Sequence, residues 1–239
     1  MGTRACIIVS VPLGARPIGT KVNPPLYFGP DGGFAFTDGQ MVYRWHMDAM
    51  QHLPGWHLLG TFPDHEPDDV GSWLLHANGE ALLLEIPPGL TVDAVAEGLA
   101  SIGVGLRYAT ASHLHEDHFD PEAWKELQVA FKGTHFITPT ESKYGTDTML
   151  SLGDEPLWLI KAPKHSLSDS VTIFRGVAMT GDLELGTLES VNGEVPPAIK
   201  GASLDYLRGF PDRTGYHVHT IVSAHLNDFR QGVNWRGLF

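Results

Sequence analysis

His113, His115, Asp117 and His118 fall within six consecutive residues, in the order His-x-His-x-Asp-His. In an extended backbone, positions 113, 115 and 117 point to the same side. Two imidazoles and a carboxylate then converge on one centre, and His118 joins them through a turn. Residues 104–112 before the run read as a strand, and Asp120-Pro121-Glu122-Ala123-Trp124 after it reads as a helix start. The cluster is therefore expected at the C-terminal mouth of a strand, where α/β folds place their sites. Imidazole nitrogen with carboxylate oxygen suits zinc, iron or manganese, and does not suit calcium or magnesium.

Three further blocks carry donors of the same kind. Ala162-Pro163-Lys164-His165-Ser166-Leu167-Ser168 centres on a histidine. Val177-Ala178-Met179-Thr180-Gly181-Asp182 is an apolar strand ending in Gly-Asp, and Thr220-Ile221-Val222-Ser223-Ala224-His225 is a strand ending in a histidine. These four blocks, in this order, resemble the signature of the metallo-β-lactamase fold superfamily of metallohydrolases. The resemblance implies a fold, an α/β four-layer αββα sandwich, and a distribution of ligands. His113, His115 and His165 would hold one metal, Asp117, His118 and His225 a second, and Asp182 would bridge them.

Two cations about 3.5–4 Å apart share a water and lower its pKa from 15.7 towards roughly 7. The reading that follows is a dinuclear zinc hydrolase whose metal-bound hydroxide attacks a small ester, lactone, thioester or amide. Asp117 and Asp182 are its catalytic carboxylates. The aspartate after Gly181, with no cysteine in the set, resembles the glyoxalase II and lactonase-like branches. A mononuclear iron dioxygenase of the persulfide dioxygenase type, using His113, His165 and Asp182, is the first alternative. β-Lactamase activity and a purely structural metal are the others.

The chain departs from the family pattern in places. Lys164, Ser168 and Asp169 stand where Gly, Gly and His are common around His165, and Phe119-Asp120 stands where Ile-Gly is common, altering the expected pocket wall. Glu85 ends the second strand of an expected hairpin, where relatives usually carry an aspartate. Lys164 is expected as a solvated surface lysine.

Length and composition bound the rest. The 239 residues suit one domain, expected to span 1–239, with residues 1–67 an irregular segment rich in Gly, Pro and aromatics packing on it. There, Tyr43, Trp45, Trp56 and Phe62 read as packing residues before substrate contacts. A net charge of −12, from 28 acidic against 16 basic residues, argues against nucleic acid as a partner and demotes the superfamily's nucleases. A single cysteine excludes an internal disulfide framework. The short apolar start is too brief for a membrane span and weak as a signal peptide, so a cytoplasmic protein with a small-molecule substrate is expected. Oligomeric state is left open.

Local patterns outline the elements. Asn78-Gly79 between apolar runs predicts a hairpin of 73–76 with 81–86. Helices are expected at 91–100, capped by Thr91, at 122–129 and at 204–207. Strands are expected at 134–137, 157–160, 171–174, 178–180 and 217–224. His217 and His219 share a strand face with His225 but read as ordinary half-buried residues. His46, His52, His57, His65, His76 and His135 lack spacing partners. Tyr206 and Arg208 lie where relatives position substrate groups, an analogy of position alone.

Overall fold

A computed structural model describes residues 49–62 and 69–239, all within one compact unit, Val42–Phe239. In chain order they form β1 (Trp56–Phe62), β2 (Val70–Ala77), β3 (Glu80–Leu84), α1 (Val92–Ile102), β4 (Gly105–Thr110), α2 (Pro121–Ala130), β5 (His135–Phe136), β6 (Thr146–Leu152), β7 (Glu155–Lys161), β8 (Ser170–Phe174), β9 (Val177–Met179), α3 (Pro197–Arg208), α4 (Phe210–Thr214), β10 (Thr220–Val222) and β11 (Phe229–Gln231). One sheet has the order β1-β2-β3-β4-β5 and the other β11-β10-β9-β8-β7-β6.

Side-chain alternation along the strands decides the layering. Trp73 and Leu75 of β2, Leu82 and Leu84 of β3, Leu157 of β7, Phe174 of β8, Met179 of β9 and Val222 of β10 share one core between the sheets. Their neighbours Leu74, Ala81, Leu83 and Ala109 point the other way and bury against Val95 and Leu99 of α1 and Trp124 and Leu127 of α2. On the far face of the second sheet, Ile160, Val171, Ile173, Ala178 and Ile221 pack with Leu204 and Leu207 of α3, Phe210 and Trp235. A period of two with both phases apolar requires cover on both faces. The result is helix, sheet, sheet, helix, the four layers expected. Each fully buried leucine contributes roughly 1.5–3 kcal/mol relative to exposure.

Local chemistry sets the boundaries. Asn78 (φ 44°) and Gly79 (φ 86°) both adopt positive φ, as a two-residue hairpin between right-twisted strands requires. Thr91 Oγ1 accepts from the Ala94 amide and Asp120 Oδ1 from the Glu122 amide, capping α1 and α2. Pro121 at the first position of α2 has no amide hydrogen to leave unpaired. β3 runs parallel to β4 through α1, and β9 parallel to β10 through α3 and α4, so these strands end on a common edge.

The strand expected at 104–112 stops at Thr110, and the one expected at 217–224 shortens to Thr220–Val222. β6 and β11 lie at the edges of the second sheet, where exposed polar side chains hide the apolar pattern, and β1 is a half-buried edge of the first. The expected packing of residues 1–67 falls largely on residues outside those described, Tyr43 and Trp45 included. Trp56 is in the inter-sheet core, edge-on to Trp73 with ring centroids 5.9 Å apart, which is the packing role expected of it. Among the described residues, no helix is long and apolar enough to cross a membrane.

Candidate metal centre

Five strand ends deliver the site. Glu85 follows β3, residues 113–118 follow β4, His165 follows β7, Asp182 follows β9 and His225 follows β10. The loops are stitched together by backbone bonds: Ser170 N donates to Ser112 O (2.8 Å), and Ala224 N to Gly181 O (3.0 Å). Gly181 has φ +63°, and a Cβ there would lie 3.1 Å from Ser112 Cβ and Oγ. Glycine lets Asp182 turn into the site beneath the His113 loop.

The run 113–118 is not extended. His118 N and Phe119 N both donate to His115 O, at 3.0 and 2.9 Å, which folds the run into a turn. Convergence comes from that turn and not from a strand pleat, which corrects the expected geometry while keeping the residues together.

All seven anticipated side chains meet. His113, His115 and His165, then His113, His118 and Asp182, then Asp117, His118 and His225, each form a trio whose donor atoms lie within 4.8 Å of one another. Asp182 sits between them: Oδ2 is 3.1 Å from His165 Nε2, and Oδ1 is 3.0 Å from His118 Nε2 and 3.3 Å from His225 Nε2. Asp117 Oδ2 lies 3.0 Å from His118 Nε2 and 3.5 Å from His225 Nε2. His115 Nδ1 is 3.1 Å from His165 Nε2.

The outward nitrogens of His165, His115 and His113 are held by the protein, and that of His118 faces a carboxylate. His165 Nδ1 lies 2.8 Å from Glu184 Oε1, and His115 Nε2 lies 2.9 Å from Glu194 Oε2. His113 Nδ1 lies 3.0 Å from Ser112 Oγ, and His118 Nδ1 is 3.4 Å from Glu85 Oε2. Meanwhile His113 Nε2 is buried and has no hydrogen-bond partner. Outer nitrogens anchored on carboxylates or hydroxyls, with inner ones converging, is the arrangement metal-ligating histidines adopt. The donor set therefore fits a transition metal.

The electrostatics follow from crowding. Burial opposes ionisation of Asp182, yet the His118 and His225 imidazoles outweigh it and hold its carboxyl far below the usual range. Burial opposes protonation of His118, but the Glu85 charge and contacts with Asp117 and Asp182 raise its pKa well above the usual imidazole range. Burial, together with the nearby His118, pushes His113 well down, so its bare nitrogen is ready to ligate. A cleft of about 480 Å³ opens beside the cluster, lined by His165, Asp182, Leu183, Val191, Ser223 and His225 among others.

By sequence, no family model and no curated protein matches the chain. By structure, it is similar to a metallo-β-lactamase from Pontibacter korlensis (12% identity, TM-score 0.56, covering 77% of this chain and 91% of that one). It is also similar to a metallo-β-lactamase family protein from Thermus thermophilus (18%, 0.50, 77% of each chain) and to ETHE1 from Myxococcus xanthus (17%, 0.50, 74% and 84%). The chain has the metallo-β-lactamase fold.

Within that fold, the departures noted from the sequence acquire partners. Lys164 is fully buried, not solvated: Nζ donates to Asp169 Oδ2 at 3.3 Å and to the Asp182 carbonyl at 2.9 Å. Asp169 Oδ2 also accepts the amides of Lys164, His165 and Ser166, at 3.2, 2.7 and 3.1 Å. A carboxylate at the centre of three amides and an ammonium shapes the His165 loop. Phe119 packs on Trp124 at 5.0 Å in the helix-side core, and so does not form the altered pocket wall expected of it.

Tyr206 lies under Arg213, 3.6 Å from guanidinium carbon to ring centroid, and Arg208 pairs with Asp205 on α3. Neither lines the cleft. His217 and His219 are exposed on the approach to β10 and do not join the cluster. Sequence reading missed Glu184, Glu194 and Lys200. Glu184 had a faint signal, since it follows Asp182 by two residues; the other two had none.

Proposed function

We propose that this protein is a metal-dependent hydrolase of a small ester, lactone, thioester or amide. The reading assigns His113, His115 and His165 to one zinc, Asp117, His118 and His225 to a second, and Asp182 to both. The observation that carries it is the convergence of seven imidazole and carboxylate side chains, with His113 Nε2 buried and without a hydrogen-bond partner, while the outer nitrogens of His113, His115 and His165 are held on Ser112, Glu194 and Glu184. Bound there, divalent cations supply Lewis acidity that acidifies a water and polarises a substrate carbonyl.

The chain's own groups do the rest. Asp182 offsets part of the cationic charge, because its carboxyl stays ionised between three imidazoles. Asp117, about one-fifth exposed beside His118 and His225, orients the attacking water. The cleft beside His165 and His225 admits the substrate. A β-lactam ring is one amide within this class.

A second reading is a single iron held by His113, His165 and Asp182, as in persulfide dioxygenases. It draws on the likeness in fold to ETHE1 and on the His165–Asp182 contact. Elemental analysis of the purified protein separates the two. Near two zinc ions per chain supports the hydrolase and directs screening to lactones, thioesters and β-lactams. One iron with oxygen uptake moves the dioxygenase to the front, and no stoichiometric metal after loading sinks both.

A further inference from the structure

The segment 183–195 between β9 and α3 sends two carboxylates to two histidines that lie elsewhere in the chain. Glu184, near its start, reaches His165 after β7; Glu194, near its end, reaches His115 after β4. Each carboxylate is itself fixed. Glu184 accepts the Val191 amide at 3.0 Å, folding the segment back on itself. Glu194 accepts the Ser166 hydroxyl at 2.9 Å and the Leu167 amide at 3.0 Å, tying the segment to the His165 loop.

Behind Glu184 stands Lys200 of α3, fully buried, with Nζ 2.5 Å from Glu184 Oε2 and 2.9 Å from the Glu189 carbonyl. Lysine is almost never fully buried unless paired, and this one is paired with the carboxylate that holds His165.

An imidazole presents one bare nitrogen, and the other carries the hydrogen. A carboxylate accepts only from the nitrogen that carries it, so its position selects the tautomer. Glu184 sits at Nδ1 of His165 and leaves Nε2 facing inward. Glu194 sits at Nε2 of His115 and leaves Nδ1 facing inward. The two histidines thus offer opposite nitrogens to one centre, and in each case the glutamate decides which.

We propose that Glu184, clamped by Lys200, and Glu194 are positioning residues that fix the nitrogens His165 and His115 present to the metal. The segment 183–195 then belongs to the metal-binding apparatus as well as to the cleft wall. This rests on the metal-centre reading above.

The test titrates cobalt(II) into the full chain and into Glu184→Gln, Glu194→Gln, Lys200→Met and the Glu184→Gln/Lys200→Met double variant. Affinity and the visible cobalt spectrum are read, and melting curves report folding. Losing such a partner is expected to weaken metal binding roughly 10–100-fold, with a changed spectrum. Because Lys200 acts through Glu184, the double variant should bind no more weakly than the weaker single one. Folded variants with unchanged cobalt affinity and spectrum, whatever their melting temperatures, overturn the proposal and leave the metal centre standing. A parent chain that takes up no cobalt overturns the metal centre itself. Should the Glu184 variants not fold, Glu194→Gln decides alone, since that side chain is 36% exposed.

Discussion

Glu85 brings its carboxylate to 3.4 Å from Nδ1 of His118, with both side chains completely buried. It does so from a left-handed backbone, φ 67°, which a non-glycine residue adopts at a cost of order 1–3 kcal/mol. The surroundings hold it there: Ser72 Oγ donates to its carbonyl at 2.8 Å, and its Oε2 accepts the Ser112 amide at 3.2 Å. Glutamate thus reaches the inner histidine from the end of β3. Glu85→Gln should weaken binding of the second metal roughly 10–100-fold while sparing the first. Zinc titration by calorimetry checks this, and two unchanged equivalents would remove Glu85 from the site.

The buried pair of Lys164 and Asp169 makes a separate claim about stability. Lys164→Met leaves the Asp169 carboxylate with amide donors but no cation. Breaking a buried pair from one side costs about 3–5 kcal/mol. Urea denaturation should show a loss of that order, and a change below about 1 kcal/mol would mean the amides alone sustain the loop.

Gly181→Ala places a methyl against Ser112 in a left-handed backbone. The conformation alone costs roughly 1–2 kcal/mol for an L-residue, and relief of the contact moves Asp182. Both lowered stability and weaker metal binding are expected. An alanine variant with parental stability in urea would contradict the geometry.

Proton and metal compete at His118. Its raised pKa means the metal-free chain gains full stability from that proton below the unfolded imidazole value, about 6.5, and loses it as pH rises through the higher folded value. His225 shifts the same way: burial opposes its proton, but Asp182 outweighs burial. A metal needs both nitrogens bare, so its affinity climbs as those protons leave. The rise in melting temperature on adding zinc should therefore be larger near pH 8 than near pH 6, as measured by scanning calorimetry. An equal or reversed increment would show that the protonated cluster does not compete.

Much of the fold was legible because its signals are local. Alternation along 73–76 and 81–84 with Asn78-Gly79 between them specifies the hairpin, and Thr91 and Asp120-Pro121 mark helix starts by their own hydrogen-bonding chemistry. β6 was not legible: Thr146–Leu152 is largely exposed at a sheet edge, and the backbone of β7 recruits it. Nor was the turn at 113–118, where the bond from His118 N to His115 O overrides the extended reading.

The sequence by itself determined which donor atoms are available: histidines and aspartates at the ends of apolar strands, in one order along the chain. Which nitrogen His115, His118 and His165 turn inward was decided by the tertiary structure, because Glu194, Glu85 and Glu184 come from other loops than the rings they face. Tertiary structure also decided the burial of Lys164 and Lys200. A lysine's default is solvent, and only closure of β7, β9 and α3 around Asp169 and Glu184 supplies carboxylates close enough to offset the loss of water.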